Sequence, residues 1–218
     1  MESIRFRTSD GLTLEGELRR PTTLASASAI ICHPHPLQGG SKDHPILWAI
    51  RNDLAHRRFV VLGFNFRGVM GSEGDFGGGV SETLDARAAL DRIREEVDGP
   101  SVVTGVSFGA DVALRLALED DRVAGLALVG FVPDYATRSD FPSERRLRKL
   151  RIPALFVSGS RDKFSSPEEI RSVAARFPNA EVSILEGADH LFFRREREAA
   201  ALVGAFAERL VRTDPATS

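Results

Sequence analysis

The sequence predicts an α/β fold: a mostly parallel, twisted sheet led by an antiparallel hairpin and wrapped by helices on both faces. Three observations carry this. Short apolar runs alternate with longer segments of helical period over most of the chain, the mark of β-α-β units. Those runs lack in–out alternation, as strands covered on both faces do. Only the first 19 residues alternate by twos, which places a half-exposed hairpin at the start of the chain.

In order, residues 4–8 and 12–19 flank Ser9-Asp10-Gly11, a turn signal. Strands are expected at 27–32, 60–64, 101–104, 123–129, 154–157 and 182–185, each a compact apolar run. Helices are expected over 45–57, 81–96, 107–119, 167–176 and 196–211. Pro167 suits the first turn of its helix, with Ser166 as N-cap. Residues 133–150 are the least regular piece, with a short basic helical stretch near 144–149. The polar tail 213–218 is expected to fray.

A chain of 218 residues is long enough for one domain with a large core. The net charge of −2 leaves no basic footprint for nucleic acid. A single cysteine, Cys32, rules out an internal disulfide and a cysteine-based metal site. The first residues alternate charged and apolar side chains and resemble no signal peptide. No run approaches the length of a membrane span, so the expected compartment is the cytoplasm. No residue pattern calls for a metal or an organic cofactor. The oligomeric state is open, a homodimer included.

Ligands of an open parallel sheet bind beyond the carboxyl ends of its strands. Three of the loops there hold a hydrolytic set. Gly105-Val106-Ser107-Phe108-Gly109 stands between an apolar strand and an amphipathic helix. A sharp strand-turn-helix holds a serine hydroxyl out of the helix, and flanking glycines relieve the crowding. The plainer alternative is a glycine turn with a capping serine. Asp162, in Gly159-Ser160-Arg161-Asp162, can orient a histidine and stabilise its charged form. Its alternative is an ordinary turn aspartate. His190, in Gly187-Ala188-Asp189-His190, can serve as general base and then general acid. Adjacent Asp189 is expected to brace the loop. The order Ser, Asp, His at one sheet edge is the order of α/β-hydrolases.

A fourth loop, His33-Pro34-His35-Pro36-Leu37-Gln38-Gly39-Gly40, can complete an oxyanion hole. One donor is the amide of Phe108, after the nucleophile; the other belongs to this loop. Proline has no N–H, so Leu37 is preferred and His35 is the alternative. His33, His35 and His44 are read as loop-shaping residues rather than metal ligands, and His56 as a helix-end residue.

At these residues the sequence resembles a compact bacterial branch of the α/β-hydrolase superfamily, known as predicted esterases or dienelactone-hydrolase-like proteins. The resemblance rests on HPHPLxGG at 33–40, NFRGVxGSxG at 65–74, GxSFG at 105–109, GxxD at 159–162 and ADHxF at 188–192. It implies an α/β-hydrolase fold over most of the chain, a triad of Ser107, Asp162 and His190, and an oxyanion hole at Phe108 and near Leu37. Arg67 is expected to brace its loop through backbone carbonyls. Met70 stands where the family favours a small residue and is expected to narrow the loop. Asp111, one turn beyond Ser107, is either a first-turn acid favoured by the helix dipole or a cleft residue that repels anions.

Residues 133–150 are too few for a multi-helix lid. They predict a minimal lid: a short flap carrying Tyr135 and Phe141 over an open site. His35, Phe131, Tyr135 and Phe192 are the expected substrate contacts, with Phe108, Phe164 and Phe193 as further walls. The competing reading for phenylalanines is core packing. The expected substrate is a small or short-acyl ester. Rival readings are a peptidase or acyltransferase on the same fold, or a non-catalytic binding protein. A rival for the triad acid is Asp134.

Overall fold

In the computed structural model, residues 1–133 and 142–213 are described. Strands β1 (Glu2–Arg7) and β2 (Thr13–Arg19) pair antiparallel. Their turn is closed by Thr8 N–H donating to the Leu12 carbonyl and by Gly11, whose φ of 93° suits glycine. Strands β3 (Ala27–Cys32), β4 (Phe59–Phe64), β5 (Ser101–Val106), β6 (Val123–Val129), β7 (Ala154–Gly159) and β8 (Ala180–Leu185) complete one sheet. Its order is β1-β2-β4-β3-β5-β6-β7-β8. From β3 to β8 every pairing is parallel, and β2 meets β4 antiparallel.

Helices α1 (Pro45–His56), α2 (Glu82–Arg94), α3 (Phe108–Ala117), α4 (Glu144–Leu147), α5 (Pro167–Ala174) and α6 (Glu196–Thr213) wrap the sheet. Side chains of adjacent strand residues alternate between two cores. Ile30 and Cys32 pack with α2, α3 and α5, whereas Ala29 and Ile31 pack with α1 and α6. Both faces are therefore apolar, which is why β3 to β7 read as continuous hydrophobic runs. At α5, Ser166 is the expected N-cap and accepts from the Glu169 N–H, while the Glu169 carboxylate accepts from the Ser166 N–H, which makes the cap reciprocal.

Departures from the expected bounds reach two residues at several elements, and two of them border the candidate site. Strand β5 runs two residues further, to Val106, and β7 two further, to Gly159. Both extensions end where a loop of the candidate site begins. The flap residues Tyr135 and Phe141, and Asp134, lie outside the described residues.

Candidate active site

Ser107 stands between β5 and α3 with φ 54° and ψ −117°. Such a backbone is strained for a residue with a side chain, and persists only where surrounding structure fixes it. Here the Ser107 N–H donates to the Val129 carbonyl at 2.8 Å, and its own carbonyl accepts from the Ala110 N–H at 2.9 Å. The flanking glycines are required by contact. A Cβ on Gly105 would stand 2.1 Å from the Gly109 oxygen, and one on Gly109 would stand 2.3 Å from the Cys32 oxygen. The helix thus docks hard against β3 and β5, and Ser107 is held outside it.

Asp162 follows β7. Its side chain is fully buried; Oδ1 accepts from the Phe164 N–H at 2.8 Å, and Oδ2 lies 2.7 Å from His190 Nδ1. His190 follows β8, and its Nε2 lies 2.9 Å from Ser107 Oγ. With Asp162 ionised, Nδ1 carries the proton and Nε2 is left to accept from the serine hydroxyl. Two more glycines allow this convergence. A Cβ on Gly130 would sit 2.9 Å from the His190 oxygen, and one on Gly159 would sit 2.2 Å from the Ala188 oxygen. The Phe164 ring covers the imidazole at 4.6 Å between centroids. Asp189 does not join the relay; its Oδ1 accepts from the Phe193 N–H at 2.9 Å and braces the loop.

The loop after β3 corrects one expectation. The Leu37 N–H donates to His35 Nδ1 at 3.2 Å, and Leu37 is 74% exposed. A committed donor is a poor oxyanion ligand, so Leu37 drops out. Among the described residues, the N–H groups of Phe108 and His35 donate to no other protein group. His33 is a structural residue: Nδ1 meets the Pro34 oxygen at 2.6 Å, and Nε2 accepts from the Phe66 N–H at 3.0 Å. Both ring nitrogens are engaged, so neither is open to a metal. Burial pushes its pKa down to about 4.

Arg67 braces its loop, but through carboxylates rather than carbonyls. Its guanidinium binds buried Asp85 at 2.7 Å and Asp10 at 2.9 Å. Met70 turns outward, 71% exposed at φ 49°, and does not narrow the site. Asp111 is buried and pairs with Arg115 at 2.9 Å, so it does not present a bare charge to the cleft.

The aromatic walls need a second correction. Phe131 and Phe192 are fully buried, Phe131 against Phe156 and Phe192 in the core shared with α6. Phe108 is likewise core, stacked among His35, Phe66 and Phe76. Only Phe164 and Phe193 of the five reach the surface. Ser107 and His190 open into a cavity of about 120 Å³ bounded by His35, Gln38, His44, Val132, Phe164 and Leu191. Gln38 and His44 were not among the expected contacts. The His44-Pro45 step at a helix start was the available signal, since a capping residue must lie at that loop.

A serine on a strained strand-to-helix elbow after β5, with aspartate after β7 and histidine after β8, defines the α/β-hydrolase class by fold and arrangement. Residues 28–212 match the family described as alpha/beta hydrolase domain, and the chain belongs to it. An uncharacterized protein of Rickettsia prowazekii (strain Madrid E) is 30% identical over 206 residues, 91% of this chain and 84% of that one. A solved structure described as an alpha-beta serine hydrolase homologue from Coxiella burnetii is 27% identical. It covers 94% of this chain and 96% of its own, with a TM-score of 0.84. A protein of unknown function from Agrobacterium tumefaciens superposes equally well, at 0.84, with 25% identity and 98% of both chains covered.

Proposed function

We propose that this chain is a serine hydrolase that cleaves small carboxylic esters through an acyl-enzyme. The observation that carries the reading is the unbroken hydrogen-bonded series Ser107 Oγ, His190 and Asp162, at 2.9 and 2.7 Å. His190 takes the Ser107 proton as Oγ attacks the ester carbonyl. The amides of Phe108 and His35 receive the developing oxyanion, a role in which one donor is worth about 10²–10³ in kcat. His190 then protonates the leaving alcohol, and water releases the acyl group by the reverse sequence. Asp162 holds the imidazole tautomer and stabilises the imidazolium.

Small acyl groups suit a cavity of about 120 Å³. The HPHPLxGG and NFRGVxGSxG segments place the chain, by the same proposal, in the predicted-esterase branch. Its partner is then a small ester, and its compartment the cytoplasm. Among the described residues, no helix is long and apolar enough to cross a membrane.

Labelling with a fluorophosphonate tests the nucleophile. Wild type is expected to gain one adduct by intact mass, and a folded Ser107→Ala variant none. An unlabelled folded wild type, or equal labelling of both, overturns the proposal. A series of p-nitrophenyl esters then tests the size limit: kcat/KM is expected to fall as the acyl chain lengthens past a few carbons.

A further inference from the structure

The cavity over Ser107 holds two imidazoles that take no part in the proton relay, His35 and His44. Each is an N-cap. His35 caps the 3-10 turn Pro36–Gln38, with Nδ1 accepting from the Leu37 N–H at 3.2 Å. His44 caps α1, with Nδ1 accepting from the Ile46 N–H at 3.4 Å. A ring nitrogen that accepts carries no proton, so a neutral imidazole in this position has its proton on Nε2. Burial lowers the proton affinity of both rings, against the weaker opposing pull of Glu82 on His35 and Glu196 on His44. Both are therefore neutral at pH 7, and both are Nε2–H donors.

Capping turns Nδ1 back onto the chain and leaves the opposite ring edge for the cavity. Among the described residues, neither Nε2 has a protein partner, and neither is sealed from solvent. The Gln38 side chain borders the same space, and no carboxylate among the described residues does. A polar wall of fixed donors rewards an acceptor on the substrate and penalises an isostere that lacks one. An anion fits less well, because Glu82 and Glu196 lie near enough to act on the two rings. Resting on the serine hydrolase reading, we infer that His35 and His44 select esters with an uncharged oxygen acceptor in the acyl chain, such as a keto oxygen, over all-carbon chains of the same shape. The acyl side is named because it stays on Ser107 through both half-reactions.

The test compares p-nitrophenyl 4-oxopentanoate with p-nitrophenyl 4-methylpentanoate, which replaces the keto group by CH–CH₃ at the same position. The readout is the ratio of their kcat/KM values in wild type, His44→Ser and His35→Ser. Serine keeps an N-cap oxygen for the backbone and deletes the distal N–H. Differences in chemical reactivity between the esters cancel when ratios are compared between proteins. The wild-type ratio is expected to exceed that of either variant at least tenfold, mainly through KM. Ratios within twofold of one another in wild type and whichever variants fold overturn the inference, as does selectivity that follows an acceptor in the alcohol part instead. If wild type is inert to the fluorophosphonate, the hydrolase reading itself fails. Labelled protein with flat ratios refutes only the role of His35 and His44.

Discussion

Asp162 and Asp85 are both buried carboxylates near the carboxyl edge of the sheet, and both bind a nitrogen base at 2.7 Å. Their partners make them different devices. Asp85 holds Arg67 in a fork, accepting from Nε and Nη2, and also accepts from the Arg67 backbone N–H at 2.9 Å. Desolvation works against the Arg67 charge, but the hydrogen bonds it donates to Asp85 and Asp10 outweigh it and hold the guanidinium above its ordinary range. That proton never leaves, so the pair can only fix geometry. Asp162 holds an imidazole, a base able to take and return a proton during a reaction, and the second nitrogen of that ring faces a serine. A buried carboxylate therefore says little about function until the chemistry of its partner is known.

Exchanging the acid at each place separates the two roles. Asp162→Asn is expected to lower kcat about 10³- to 10⁴-fold, the scale seen when the acid of such a triad is neutralised. Its amide oxygen can still accept from the Phe164 N–H, so thermal unfolding should move by only a few degrees. Activity above a tenth of wild type would remove Asp162 from the relay. Asp85→Ala should do the opposite. Stripping a buried arginine of its partner costs about 3–5 kcal/mol, read as a shifted urea midpoint, while the fraction that remains folded keeps its kcat. Asp10→Ala, at the more exposed end of the same arginine, is expected to cost under about 1 kcal/mol. If Asp85→Ala loses kcat without losing stability, the contrast between the pairs collapses.

The sequence made the fold legible because both faces of the sheet are covered, so each central strand had to be apolar throughout. Ser107 and Asp162 were legible because each lies just past such a strand, and His190 because it follows the short apolar run that ends the edge strand β8. What stayed hidden depends on contacts the local pattern does not encode. Leu37 looked like the donor because proline excluded its neighbours; only the turn geometry shows that His35 Nδ1 has taken its N–H. Arg67 finds its acids 57 and 18 residues away in the chain. Phe131 and Phe192 lie in the same loops as exposed or polar residues, and tertiary packing alone buries them while leaving Phe164 and Phe193 outside. Strand ends shifted because β5 and β7 continue to the residues that launch the loops.

His33 extends the comparison to a base that is buried and held neutral rather than poised. Its pKa is lowered to about 4 chiefly by burial, against an unfolded value of about 6.5. Between those values the unfolded chain binds a proton that the folded chain refuses. Stability therefore rises with pH through this window: it is fully present above the unfolded value and drains away as pH falls toward 4. The gap corresponds to a loss of at most about 3 kcal/mol between neutral pH and pH 4. His33→Gln keeps an oxygen able to accept from the Phe66 N–H and has nothing to titrate. Its stability at pH 7 is expected to be lower than wild type, because the contact with the Pro34 oxygen is disturbed. Its urea midpoint should nevertheless fall less steeply than wild type between pH 6.5 and 4.5. Parallel curves for the two proteins would mean that another group carries the acid sensitivity, and that His33 gains its proton without opening the loop it braces.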